Sequence, residues 1–132
     1  LGWKDKIKKD MLNYFQEREL KADINISSAG NNTIIAPGSG QMPTNWENSA
    51  EFIAIDFIVL FAASAVTVQM VDGTTNYGGA YPLAAQQAYI FDNTPHLDNG
   101  IITLSPNNNF VINLSAPVSV TGFIRYRRKM SN

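Results

Sequence analysis

The stretch FVINLSAPVSVTGFIRY, residues 110–126, decides the fold. Phe110, Ile112 and Leu114 fall on alternate positions, and after the break at Ser115-Ala116-Pro117 the same period returns in Val118, Val120, Ile124 and Tyr126. A period of two places those side chains on one face of a strand, so the stretch reads as two strands that each bury one side. Gly122 interrupts the second strand. A glycine there implies a bulge or a close approach of another backbone.

Working outward, the same period recurs from Ala22 onward, with turn residues every 8 to 12 positions, the pattern of a β-sandwich. Strands are expected near 22–27, 33–36, 51–62, 65–72, 87–91, 101–104, 109–114 and 118–127. In the third, Ile53, Ile55, Phe57, Val59 and Phe61 share the parity expected of the core face, and in the fourth Val66, Val68 and Met70 face in while Thr67 and Gln69 face out. Asp72-Gly73, Asn99-Gly100 and Pro106 to Asn109 supply turns. Residues 37–49, carrying Trp46, form a long connection suited to a crossover between sheets or to a contact loop. The fold class expected is mainly β: a jelly-roll-like antiparallel β-sandwich of about eight strands over residues 22–132.

Residues 1–21 read differently. Trp3, Ile7, Met11, Tyr14 and Phe15 recur at spacings of four and three, which lines one face of a helix over 3–20, while Asp5–Lys9 and Glu17–Lys21 are acid-first i,i+4 pairs. Burying five large apolar side chains is worth ~8 to 15 kcal/mol gross, so the stripe calls for a cover: the chain's own sandwich, sister helices or a neighbouring protein. A membrane surface fits poorly, because the polar face is mixed in sign.

The 132 residues are 45% hydrophobic and 16% charged, which excludes a disordered tail and a multi-domain enzyme. The absence of cysteine removes disulfides, thiolate zinc sites and thiol nucleophiles. The longest apolar run, 57–63, is far short of the ~20 residues a membrane helix needs, and the first residues lack a secretory apolar segment. Leu1 in place of an initiator Met predicts processing or a preceding segment. Charge is segregated: residues 22–124 hold seven acids and no Lys or Arg, while the bases lie within 1–21 and at Arg125, Arg127, Arg128 and Lys129. An Asn- and Ser-rich body without Lys lacks the usual guards on its strand edges. The basic ends either neutralise that body or meet an anionic partner surface.

No catalytic motif emerges. His96 is the lone histidine and sits in a Pro-containing loop without a nucleophile elbow; the acids are isolated in sequence; Asp92-Asn93 and Asp98-Asn99-Gly100 lack the ligand spacing of a calcium loop. Gly38-Ser39-Gly40 is no phosphate cradle, and the three Asn-X-Ser/Thr matches at Asn25, Asn31 and Asn113 come without a secretion signal. Four bases on one strand end would attract nucleic acid only weakly, so an acidic protein neighbour is the better match.

INISSAGNNTIIA at 24–36, the apolar strand 53–61, AVTVQMVDG at 65–73, YPLAA at 81–85 and the 110–126 ending together resemble small β-sandwich virion proteins of tailed bacteriophages, head-decoration and other accessory structural proteins among them. The resemblance covers about residues 22–127 and implies structural motifs with no catalytic, cofactor or metal residues. It implies a non-enzymatic subunit held in multiple copies on a particle assembled in the host cytoplasm, with other virion proteins as partners (the major capsid protein, or portal and tail neighbours) and a homo-oligomer, a trimer by preference. Neither membrane nor nucleic acid is expected as a partner. Within that reading Trp3, Ile7, Met11 and Phe15 dock the helix, Trp46 contributes a contact loop, and Arg125, Arg127, Arg128 and Lys129 meet acidic surface. The alternative is a carbohydrate- or receptor-binding module of a fibre or tail, with Trp46, Tyr77, Tyr81 and Tyr89 as sugar platforms.

Overall fold

The structure is a computed structural model that describes residues 2–7, 19–36, 50–93 and 97–131. Ten strands occur among them: β1 (Glu19–Ile26), β2 (Gly30–Ile35), β3 (Ala50–Ala62), β4 (Val66–Asp72), β5 (Thr75–Asn76), β6 (Tyr81–Leu83), β7 (Ala88–Asp92), β8 (Ile102–Thr103), β9 (Phe110–Leu114) and β10 (Val120–Ser131). Two antiparallel sheets result. The first runs β1-β10-β3-β7 with β8 also on β3; the second runs β2-β9-β4-β5 with β6 also on β4.

Set aside the two-residue β5 and β8, and the pairings nest. β4 pairs β6, β3 pairs β7, β2 pairs β9 and β1 pairs β10, so the first strand meets the last and the middle two meet each other. One long hairpin rolled onto itself gives this order, which is the jelly roll expected from the sequence.

Between the sheets lies one core of Ile24, Ile35, Ile53, Ile55, Ile58, Leu60, Val68, Met70, Phe110, Ile112, Leu114, Val120 and Ile124, with Leu83, Ile102 and Leu104 closing its ends. The turns form where expected: Gly73 and Gly100 take φ of 64° and 75°, and Asn107 takes 63°. Asp72 ties two of these turns together, accepting from Ser105 N (3.0 Å), Ser105 Oγ (2.9 Å) and Asn108 Nδ2 (2.9 Å). Gly122 is the close approach the sequence implied. Its φ is +149°, and a Cβ there would stand 1.9 Å from the Val59 carbonyl oxygen.

Two expectations need correction. The parity of β3 is not constant: Ile53 and Ile55 are buried, but farther along Ile58, Leu60 and Ala62 are buried instead, and Phe61 is 41% exposed. The cause is a bulge. β10 pairs Arg125 with Phe57 and Tyr126 with Ile55, which leaves Asp56 as one extra residue in β3, and one extra residue moves every later side chain to the other face. At the N-terminus only residues 3–7 are described as helical, and β1 begins at Glu19, so residues 19–21 are strand where helix was expected through 20. Lys21 therefore has no helical i,i+4 relation to Glu17. Residues 8–18, with Met11 and Phe15, and 37–49, with Trp46, lie outside the described residues, as does His96.

Candidate interaction surface

The four C-terminal bases lie on β10, where the side chains alternate between core and solvent, so they cannot act together. Arg128 points inward and is fully buried, donating from Nη2 to the Ala36 carbonyl at 3.1 Å. Burial lowers its pKa from the usual guanidinium value. It is a structural residue of the core end, and the expectation that it meets a partner's acids is withdrawn.

Arg127 lies on the outer side and is held by the bulge residue. Its Nε and Nη2 donate to Asp56 Oδ2 and Oδ1 at 2.8 and 3.0 Å, with Nη2 also reaching the Asp98 carbonyl at 2.7 Å. Asn93 Nδ2 donates to the same Asp56 carboxylate. Lys129, with a side chain only 12% exposed, pairs with Asp98 Oδ2 at 3.2 Å and donates to the Asp98 carbonyl and Asn99 Oδ1. Both bases therefore fasten the 97–100 turn onto the sheet. Only Arg125 remains well exposed, 3.7 Å from Glu19.

These contacts border a shallow polar cleft of about 370 Å³, lined by Glu19, Asp56, Asp92, Asn93, Asp98, Arg125 and Arg127 among others. Its one inward carboxylate, Asp56, already has its oxygens committed to Arg127 and Asn93. No group of three or more His, Cys, Asp or Glu able to hold a metal ion occurs among the described residues. A second cleft of about 240 Å³ opens at the edge of the sandwich between Tyr77, Tyr81, Phe91, Met70, Ile58 and Ile101. Tyr81 stacks edge-on against Phe91 with centroids 5.1 Å apart, and the Tyr77 hydroxyl accepts from Thr103 N at 3.5 Å. Tyr89 packs partly against the core, its hydroxyl accepting from Ala84 N at 3.3 Å, so it lies apart from the other two.

The outer faces of the two sheets differ in chemistry. On the second sheet Asn31, Asn113 and Gln69 form one cross-strand row, with Asn113 Nδ2 donating to Asn31 Oδ1 at 2.8 Å; Val71 and Val111, a buried cross-strand pair, are its apolar exception. On the first sheet the register aligns Asp23, Phe123, Val59 and Ile90 in one row, Thr121, Phe61 and Ala88 above it, and Lys21, Arg125, Phe57 and Asp92 below. Five large apolar side chains, Phe57, Val59, Phe61, Ile90 and Phe123, thus form a contiguous outward patch. Phe57 stacks on Phe123 at 5.5 Å, with Arg125 lying 5.7 Å from both rings and Lys21 over Phe123 at 5.0 Å. Ile90 is 63% exposed.

The sequence reading missed this patch. Constant parity along β3 assigned Phe57, Val59 and Phe61 to the core, and Ile90 and Phe123 were not singled out. Of the helix residues, Trp3 and Ile7 are exposed, at 69% and 49%. No helix among the described residues is long and apolar enough to cross a membrane.

No protein-family model matches the chain, and no curated protein matches it. Among solved structures, a chain from the Bacillus endospore appendages, described as a novel family of disulfide-linked pili, is similar with a TM-score of 0.46 and 14% identity over 87% of each chain. The likeness is remote, and nothing about the role of this chain follows from it.

Proposed function

We propose that this chain is a non-enzymatic structural subunit held in many copies on a tailed-phage particle assembled in the host cytoplasm, attached through the outer face of its first sheet to neighbouring virion proteins. The observation that carries the reading is the patch of Phe57, Val59, Phe61, Ile90 and Phe123. Where the outer face of a sandwich sheet meets water it carries polar residues, as the second sheet does along the row of Asn31, Asn113 and Gln69, whereas five large apolar residues together mark a contact surface. Arg125 and Lys21 fringe the patch and supply the basic component of the contact. Many linked copies would make individually modest contacts hold.

The test is occupancy on purified particles. Phe61→Lys and Phe123→Ser change outward side chains, so each is expected to leave the fold intact and to strip the protein from the particle. Full occupancy by both variants, or a particle that never contains the chain, overturns the reading. A second reading, a carbohydrate- or receptor-binding module of a fibre or tail, is favoured by the cleft holding Tyr77, Tyr81 and Phe91. It predicts glycan-array binding that Tyr81→Ala abolishes. An array without hits removes it.

A further inference from the structure

We propose that β7 is a self-pairing edge, at which two copies of this chain join their first sheets antiparallel about a twofold axis through Ile90. The inference deepens the assembly reading and rests on it for bringing copies together.

Hydrogen-bond phase comes first. Asn93 N donates to the Asp56 carbonyl at 2.9 Å, one step beyond the Asp92–Phe57 pair, so Asn93, Phe91 and Tyr89 direct their backbone groups at β3. In an antiparallel ladder the intervening residues point the other way. Ala88, Ile90 and Asp92 therefore present their N–H and C=O groups to the open side, where no described strand pairs with them.

The edge is also unguarded. β1, the opposite edge of the same sheet, carries Glu19, Lys21 and Asp23, while on the second sheet β5 has two residues, β6 contains Pro82 and the uncharged β2 is broken by a bulge between Thr33 and Ile35. Charge, shortness and proline are the usual blocks to edge pairing. β7 has five residues, AYIFD, with no Lys, Arg or Pro, and Ile90 stands at its centre.

The occupant is a second copy because the strand matches itself. About Ile90, Ile90 meets Ile90 of the partner copy and the small Ala88 lies opposite Asp92, so no like charges face each other. The two Asp92 carboxylates end up roughly 13 Å apart, beyond a Debye length of ~8 to 10 Å. Because Val59 is the neighbour of Ile90 on β3, the pairing also runs the two apolar outer patches into one surface, continuous with the proposed attachment face.

A chain without cysteine allows a direct test. Residues in a hydrogen-bonded antiparallel pair have Cα atoms ~5.5 Å apart, within the ~4.4 to 6.8 Å that a disulfide spans. Under mild oxidation Ile90→Cys is expected to trap a covalent dimer efficiently. Ala88→Cys and Asp92→Cys, each far from its own symmetry mate, should cross-link at least tenfold more slowly. Sedimentation of the full chain should show a monomer–dimer equilibrium, weakened at least tenfold by Ile90→Lys with the far-ultraviolet circular dichroism unchanged. A monomer at all concentrations up to about 0.5 mM, a trimer, equal trapping at all three positions, or a dimer indifferent to Ile90→Lys overturns the proposal. A parent chain that occupies particles but forms no dimer removes this inference alone; a parent chain that dimerises but does not occupy particles removes only the attachment reading.

Discussion

Replacing Gly122 by Ala puts the central strand pair under a calculable load. Gly122 lies between Ile24 of β1 and Leu60 of β3, at a φ of +149° that residues with a Cβ rarely adopt. The added methyl would stand 1.9 Å from the Val59 oxygen and 2.8 Å from its carbonyl carbon, where ordinary contact begins near 3.4 Å, so two buried strands must separate by more than an ångström. Backbone strain of ~1 to 3 kcal/mol adds to an overpacking cost of ~1 to 3 kcal/mol, giving ~2 to 6 kcal/mol in all. Against a typical domain stability of ~5 to 15 kcal/mol this is a large fraction. At ~3 to 5 °C per kcal/mol for this chain length, Tm should fall by ~6 to 30 °C in a thermal melt followed by circular dichroism. Gly79→Ala is the control, since nothing lies within 4 Å of its Cβ position and it should melt like the parent. A Gly122→Ala melt within about 3 °C of the parent would refute the close-approach argument.

Other outcomes follow from the charged residues. Arg128→Ala, which empties a fully buried site and leaves the Ala36 carbonyl without its Nη2 donor, should cost ~2 to 4 kcal/mol in urea unfolding while leaving particle occupancy unchanged once folded. Asp56→Asn leaves Arg127 without its carboxylate in a site where both side chains are under a fifth exposed, and should cost ~2 to 3 kcal/mol; Arg127→Met in the same background should recover part of it in a double-mutant cycle. Tyr126 is buried, and burial raises its pKa above the usual 10.0. The unfolded chain then releases its proton first as pH rises, so the folded state binds more protons and stability falls with pH above about 10. Tyr126→Phe should lack this component, seen as a smaller loss of urea midpoint from pH 9 to 11.

The topology was legible because the alternate apolar residues of the 110–126 stretch do face the core, and because Asp72-Gly73 stands at a real reversal, between the antiparallel β4 and β5. The bulge was not. From Phe57 to Ala62 every residue is apolar, so either parity satisfies the pattern and hydrophobicity cannot say which side faces the core. The available clue was Asp56 itself, an acid inside an apolar run that needs a cation beside it, and Arg127 is seventy-one residues away. The same error hid the contact patch, since its three β3 residues had been assigned to the interior. The basic cluster misled for a related reason: adjacency in sequence suggested a common surface, but strand alternation sends Arg128 inward and Arg125, Arg127 and Lys129 outward. Long-range pairing then commits Arg127 to Asp56 and Lys129 to Asp98.

The position of β10 constrains the order of folding. Of the ten described strands it is made last, yet it sits between β1 and β3, so β1, the first of them, meets its described ladder partner only after residues 120–131 have been made. Up to then β3, an apolar strand without Lys or Arg, carries an unzipped side, whereas β1 has Glu19, Lys21 and Asp23 to deter strangers. The second sheet can close on β9 before that, but the first sheet closes only in a final, non-local step, in which β10 slots between strands made roughly 70 and 100 residues earlier. Nascent chains stalled before Val120 should therefore be far more prone to aggregate than those stalled once β10 has cleared the exit tunnel.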